Sequence, residues 1–223
     1  MKNYIFNRFN FSAKYKRELL DFIKNLCNAE IGGNRLYDGT NNHYMQNPNE
    51  IVDLIFELKK YEKVKNIKFK NFLEIGFATG INNTILNKFF KFNKIVAVDI
   101  IDTAGTNTNN FYANLRFKNL SLICGNSTDK STIKNAGLLG KYDLIFIDGG
   151  HDYNTVKKDF KNYKEFLNSS GLIVLHDIKS NLDLGVPKFW KEIKNQYKNQ
   201  YKFKEIFYSG HLMECGIGLI SKK

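Results

Sequence analysis

From residue 71 onward the sequence alternates between short apolar runs and helix-like stretches, and that rhythm leaves few folds open. Apolar runs occur at 72–76, 95–98, 120–124, 143–147 and 172–175. Between them lie segments with apolar residues at helical spacing, such as Ile81, Ile85 and Phe89, and Tyr153, Val156, Phe160, Tyr163 and Leu167. A strand that is apolar throughout has both faces covered, and strands separated by helices pair in parallel. The pattern predicts a single doubly wound, Rossmann-like α/β domain. A further helix is expected from Pro187, with Val186, Trp190, Ile193 and Tyr197 on one face. The closing stretch YKFKEIFYSGHLMECGIGLISKK reads as two strands joined by a turn at Ser209-Gly210. Ahead of the alternation, Tyr15, Leu19, Phe22 and Leu26 recur at helical spacing with Ser12 as the candidate cap. Ile51, Leu54, Ile55 and Leu58 form a second amphipathic set, opened by Asn47-Pro48-Asn49. The polar stretch EIGGNRLYDGTNNHYMQNP between them is long for a loop, and loops of that length are functional or disordered. The expected division is a helical N-terminal extension with an active-site loop over 1–48, and the α/β domain over 49–223.

Composition narrows the function classes. Hydrophobic residues make up 43% and charged residues 25%, the balance of a soluble globular protein. No segment approaches the ~20 apolar residues that cross a bilayer, and no apolar run of signal-peptide type opens the chain. A cytoplasmic location is the expectation. Cys27, Cys124 and Cys215 are odd in number and far apart, which reads as three reduced thiols. The net charge is +12, yet only four of the 34 basic residues are arginine: Arg8, Arg17, Arg35 and Arg116. Lysines are spread along the whole chain. Nucleic-acid readers concentrate basic residues and use arginine forks, so the pattern argues against nucleic acid as the main partner and leaves a general positive field.

In a doubly wound sheet, ligands sit at the carboxyl ends of the strands. The first strand ends in FLEIGFATG, with Glu74, Gly76 and Gly80. The dinucleotide fingerprint Gly-x-Gly-x-x-Gly is not met, because Ala78 and Ile81 stand where its second and third glycines belong. Glu74 also places a carboxylate where a pyrophosphate would need positive surroundings. An acidic turn favours a cationic ligand such as S-adenosylmethionine. Asp99 ends the second strand, 23 residues after Gly76, where a carboxylate can accept both ribose hydroxyls.

With those residues the chain resembles a class I S-adenosylmethionine-dependent methyltransferase from about Met45 onward. EIGFATG resembles the cofactor loop (Glu74, Gly76, Ala78, Thr79, Gly80), VAVDI the ribose-binding strand end (Asp99), and CGNST the segment beside the adenine (Asn126, Ser127). FIDGGHDYNTVKKDF followed by SSGLIVLHDI is more specific. It resembles small O-methyltransferases that act on sugars of antibiotics and surface glycans, together with cephalosporin hydroxylase-like proteins. MQNPNEIVDL and GVPKFWKEI fit the same subgroup. The resemblance implies a seven-stranded, mostly parallel sheet with an antiparallel C-terminal strand. It also implies that Asp148 lies beside the cofactor, that His151 is the general base, and that Asp148, His176 and Asp177 hold a divalent cation.

His176 stands where metal-binding members carry a carboxylate. Imidazole is a poor ligand for Mg²⁺, so the implied site holds Mn²⁺, Fe²⁺ or Zn²⁺, holds Mg²⁺ through carboxylates and water, or is empty. Plainer readings stand beside these: Asp148 as the cap of the next helix, His151 and Asp177 as loop residues, and His176 as a packed histidine with satisfied nitrogens. His43 and His211 carry no assignment. The implied function is methyl transfer to a hydroxyl of a small acceptor, a sugar or sugar nucleotide among the candidates, with a homo-oligomer left open. The alternatives are a methyltransferase on RNA or another polyanion, and a non-catalytic or redox metal protein.

Overall fold

Asn47 accepts the Asn49 amide through its side chain and Pro48 fills the first helical position, so the chain turns into a helix there. That helix, α2 (Pro48–Lys65), is preceded by α1 (Ala13–Leu26), whose Leu19 and Ile23 are buried. The structure is a computed structural model, and it describes residues 13–26, 46–78, 80–100, 118–180, 182, 184–210 and 214–223. Ser12, the expected first cap, and most of the 31–48 loop lie outside them, as do His43, Thr79 and His211. The alternation that follows is β1 (Asn71–Ile75), α3 (Ile81–Phe90), β2 (Lys94–Asp99), β3 (Leu120–Cys124), α4 (Lys130–Leu138), β4 (Tyr142–Ile147) and α5 (Tyr153–Tyr163). A short 3₁₀ turn (Lys164–Phe166) then leads into β5 (Leu167–Leu175), α6 (Val186–Gln196), β6 (Tyr201–Ile206) and β7 (Ile217–Lys222).

The seven strands lie in the order β3-β2-β1-β4-β5-β7-β6. β1 to β5 are mutually parallel, and β7 runs antiparallel to both β5 and β6. This is the mixed seven-stranded sheet with an antiparallel C-terminal strand that the resemblance implied. Alternate strand residues face opposite sides, and each side is covered. Phe72, Ile95, Leu144, Phe146 and Val174 pack with α1, α2 and α3, whereas Leu73, Val96, Ile145, Ile173 and Ile220 pack with α5 and α6.

Two local expectations need correction. Leu167 opens β5 rather than closing the helix before it. The last two strands are not joined by a tight turn at Ser209-Gly210, because their connection spans 207–216. Buried Glu50 explains that long excursion: its two carboxylate oxygens accept the amides of Tyr208 (3.1 Å) and Gly216 (3.0 Å), which anchors both ends of the segment to α2.

The register positions the site. Ile75 pairs with Val98 on one side and Ile147 on the other, and Ile147 pairs with Leu175. The next residues, Asp99, Gly76, Asp148 and His176, therefore emerge level with one another at the carboxyl edge of the sheet.

Candidate active site

At the end of β1 the backbone turns through three left-handed residues, Gly76 (φ 89°), Ala78 (φ 45°) and Gly80 (φ 75°). Gly76 has no room for a side chain, since a Cβ there would lie 2.0 Å from the carbonyl oxygen of Asp148. The cofactor-type turn and the end of β4 thus touch backbone to backbone. Ala78 adopts a conformation that costs a non-glycine residue about 1–2 kcal/mol, and its amide donates to Asp99 Oδ2 at 2.8 Å. Asp99 therefore both ends β2 and fixes the turn.

Glu74 is only 1% exposed, and its two oxygens accept the side-chain amides of Asn82 (2.7 Å) and Asn83 (3.0 Å) at the start of α3. Burial pushes its carboxyl up to about 8, against those two hydrogen bonds. At the end of β3, Asn126 accepts the Thr128 amide at 2.9 Å, and the Ser127 carbonyl accepts the Tyr163 hydroxyl at 2.9 Å. The adenine-type segment is therefore tied to α5.

Four titratable side chains gather where β4 and β5 end. His151 Nε2 lies 3.1 Å from Asp177 Oδ2 and 3.7 Å from Asp148 Oδ1. His176 Nδ1 lies 3.1 Å from Asp148 Oδ1 and 3.4 Å from Asp177 Oδ1. Asp148 Oδ2 accepts the side-chain amide of Gln46 at 2.8 Å. Asp177 is held at φ 60°, a left-handed conformation that aspartate tolerates better than most residues. Hydrogen bonds to Asp148 and Asp177 push His151 up to about 10; its side chain is 45% exposed, so water screens part of that pull. Burial alone would raise the two aspartates, but the imidazoles outweigh it and hold both below the usual carboxylate range. Burial likewise opposes a charged His176, and the two carboxylates override it.

Two plainer readings of these residues fall away. The helix after the glycine pair is capped by Asp152, whose Oδ1 accepts the amides of Asn154 and Thr155 at 3.0 Å each, and not by Asp148. His176 is buried, yet neither of its ring nitrogens makes a hydrogen bond. Gly150 is needed because a Cβ there would meet Thr155 Cγ2 at 2.4 Å.

The structure places Asp148, His151, His176 and Asp177 side by side, and it adds Gln46, Glu50 and Cys215, which sequence reasoning did not single out. The Cys215 ligand atom lies within 4.8 Å of those of His176 and Asp177. Nothing local could have found it, because its placement depends on Glu50 at the other end of the chain.

Residues 73–178 match a family model described as a methyltransferase domain. Over that stretch the chain is similar to a methyltransferase domain. The matched stretch runs from β1 to just past Asp177, so it includes every site residue above except Gln46, Glu50 and Cys215. An uncharacterized protein of Acanthamoeba polyphaga mimivirus is 26% identical over 145 residues, 60% of this chain and 66% of that protein. An O-methyltransferase from Bacillus cereus, solved with S-adenosylhomocysteine, shares the fold at a TM-score of 0.61 and 13% identity, covering 95% of this chain and 92% of that one. MycE of the mycinamycin biosynthetic pathway, solved with Mg and S-adenosylhomocysteine, superposes at a TM-score of 0.51 and 16% identity over 78% of this chain. The match covers 53% of the MycE chain, so this chain spans about half of that protein's length. Among the described residues no helix is long and apolar enough to cross a membrane.

Proposed function

We propose that the protein transfers a methyl group from S-adenosylmethionine to a hydroxyl of a small acceptor, a sugar or sugar nucleotide among the candidates. The observation that carries this reading is the convergence of Asp148, His151, His176 and Asp177 at the sheet edge, with the turn after β1 packed directly against Asp148. The cofactor would lie along that edge. Asp99 would accept the ribose hydroxyls, Asn126 and Ser127 would flank the adenine, and Gly76, Ala78, Thr79 and Gly80 would take the methionine end. Buried Glu74 would add negative potential beneath the turn, and Asp148 would stand nearest the methyl group. The fit rests on a turn whose large side chain, Phe77, is buried, and on an acidic sheet edge that suits a sulfonium and opposes a polyanion.

The cofactor supplies the electrophilic methyl group. The chain must orient the acceptor oxygen and remove its proton. His151 would take that proton, with Asp177 fixing the ring from 3.1 Å. Asp148, His176 and Asp177 would hold a divalent cation, which lowers a hydroxyl pKa. Their two carboxylates suit Mg²⁺, whereas the imidazole suits Mn²⁺ or a softer ion. Residues 1–48 would form the extension and loop over the acceptor, and 49–223 the catalytic domain.

The test is incubation with S-adenosylmethionine and a panel of sugars, sugar nucleotides, phenols and RNA, reading a mass gain of one methylene. Methylation of RNA with inert small hydroxyl compounds would overturn the acceptor class. Calorimetry should show S-adenosylhomocysteine binding roughly 10- to 100-fold weaker in Asp99→Ala, the loss of a charge-assisted hydrogen bond. Tight Fe²⁺ binding without affinity for adenosyl compounds would favour a non-catalytic metal protein instead.

A further inference from the structure

Behind the open face of the site lies a second, fully buried cluster formed by His176, Asp177 and Cys215. Each offers a ligand atom within 4.8 Å of the other two. The backbone holds Cys215 there from both directions. Glu50 anchors Gly216 at 3.0 Å, the Lys179 amide donates to the Cys215 carbonyl at 2.7 Å, and the Ile178 amide donates to the Gly216 carbonyl at 3.2 Å. The segment after Asp177 and the segment carrying Cys215 are thus laced together.

His176 supplies an independent observation. It is 3% exposed, and both ring nitrogens lack hydrogen-bond partners. Nδ1 approaches Asp148 and Asp177 without hydrogen-bond geometry, and a buried polar atom left unbonded costs about 1–3 kcal/mol. Ligation to an ion would satisfy one of them.

We infer that His176, Asp177 and Cys215 bind a thiophilic divalent cation of the Zn²⁺ class. The chemistry of the donors selects it. Zn²⁺ takes sulfur, nitrogen and oxygen together, whereas Mg²⁺ takes oxygen and keeps its waters. On binding, the Cys215 thiol and the His176 imidazolium each give a proton to solvent. One thiolate and one carboxylate then cancel the dication, so the occupied site is neutral, as burial favours. Asp148 stands beside the cluster, 3.1 Å from His176 Nδ1, outside this neutral set. This deepens the cation part of the reading above by naming the cation class, and it does not depend on methyl transfer. The competing account is an imidazolium wedged between Asp148 and Asp177, with Cys215 an inert thiol.

The experiment strips metal with a chelator and titrates Co²⁺ into a Cys27→Ser/Cys124→Ser variant, in which Cys215 is the sole remaining thiol. Cys124 is exposed, and Cys27 lies outside the described residues. The expected result is a thiolate-to-cobalt charge-transfer band in the near ultraviolet, growing with the visible d–d bands to one equivalent. Zn²⁺ should reverse it and excess Mg²⁺ should not. Cys215→Ser should lose the near-ultraviolet band. Should that variant fail to fold, X-ray absorption of the zinc-loaded double variant should show a sulfur neighbour at ~2.3 Å. Visible d–d bands with no charge-transfer band and no sulfur neighbour would overturn the inference while leaving the oxygen and imidazole cation site standing. No Co²⁺ binding at all would overturn both, and methyl transfer would still be decided by the acceptor panel.

Discussion

His151 takes its basicity from its neighbours, and this gives its role a testable signature. A general base must be neutral to act, and Asp148 and Asp177 push this imidazole up to about 10. In chelator-treated enzyme, kcat should therefore climb with pH well beyond the ordinary histidine range, toward that value. Asp177→Asn removes one of the carboxylates, so the rising limb should move to lower pH; an unmoved limb would separate Asp177 from the proton transfer. His151→Ala should lower kcat by roughly 10²–10⁴ with S-adenosylhomocysteine affinity nearly unchanged, because the loss falls on proton transfer.

Asp159 makes the opposite case at the same scale. It is fully buried on α5, and burial pushes it up to about 6 from 3.8, with the Ser127 hydroxyl pulling the other way. A carboxyl whose folded value lies above its unfolded one opposes folding when it ionises. The penalty is absent below about pH 4, grows through about pH 6, and is full above that, on the order of 1–3 kcal/mol. Asp159→Asn cannot ionise, so it should melt higher than wild type at pH 7.5, with the gap narrowing at pH 5. A gap independent of pH would mean that burial does not raise Asp159 in the folded state.

The turn after β1 shows what one methyl group does to an element. Gly76→Ala would drive a Cβ to 2.0 Å from the Asp148 carbonyl oxygen at a backbone φ of 89°. Backbone cannot swing away as a side chain can, so a loss of roughly 3 kcal/mol or more is expected in denaturant melts, with β1 prised from the end of β4. Ala78→Gly, two residues on, should be neutral or stabilising by up to about 1 kcal/mol, because it relieves a left-handed alanine.

The strands of this sheet were legible because burial on both faces writes a continuous apolar run into each of them. Their level ends were not legible, since register is a property of pairs. β5 began five residues before its apolar run, at Leu167, because its Asn168, Ser169 and Ser170 are partly or fully exposed. The turn expected at Ser209-Gly210 failed for a similar reason. A glycine marks where a chain is free to turn, but the path from 207 to 216 is set by Glu50, 166 positions away from Gly216. Asp148 and His176 could be named from sequence because each sits directly after an apolar run, and His151 and Asp177 because they follow those two within three residues. Gln46 and Cys215 reach the site from distant segments and carry no such flag.

For the whole molecule, the charge of +12 and the acidic sheet edge pull in different directions. Lysines on separate elements pair with separate acids, as in Lys204 with Glu57, Lys157 with Glu192 and Lys179 with Glu205, so the positive field is diffuse. Any RNA affinity should then be non-specific and collapse as salt is raised, following counterion release. At physiological ionic strength, added RNA should leave methylation of a small acceptor unslowed. Competitive inhibition that persists in high salt would point to a built nucleic-acid site.

The position of β7 has a consequence for how the protein is made. This strand follows the other six in sequence, yet it lies inside the sheet, between β5 and β6. During synthesis β5 waits with the Leu172–Leu175 edge unpaired until residues 217–222 leave the ribosome. A chain halted before then offers its neighbours an apolar edge ready for pairing, and Glu50 has only Tyr208 to hold. Ribosome stalling before residue 217 should yield aggregates rather than a partly active protein, because the sheet edge that carries the candidate site and β7 are finished together.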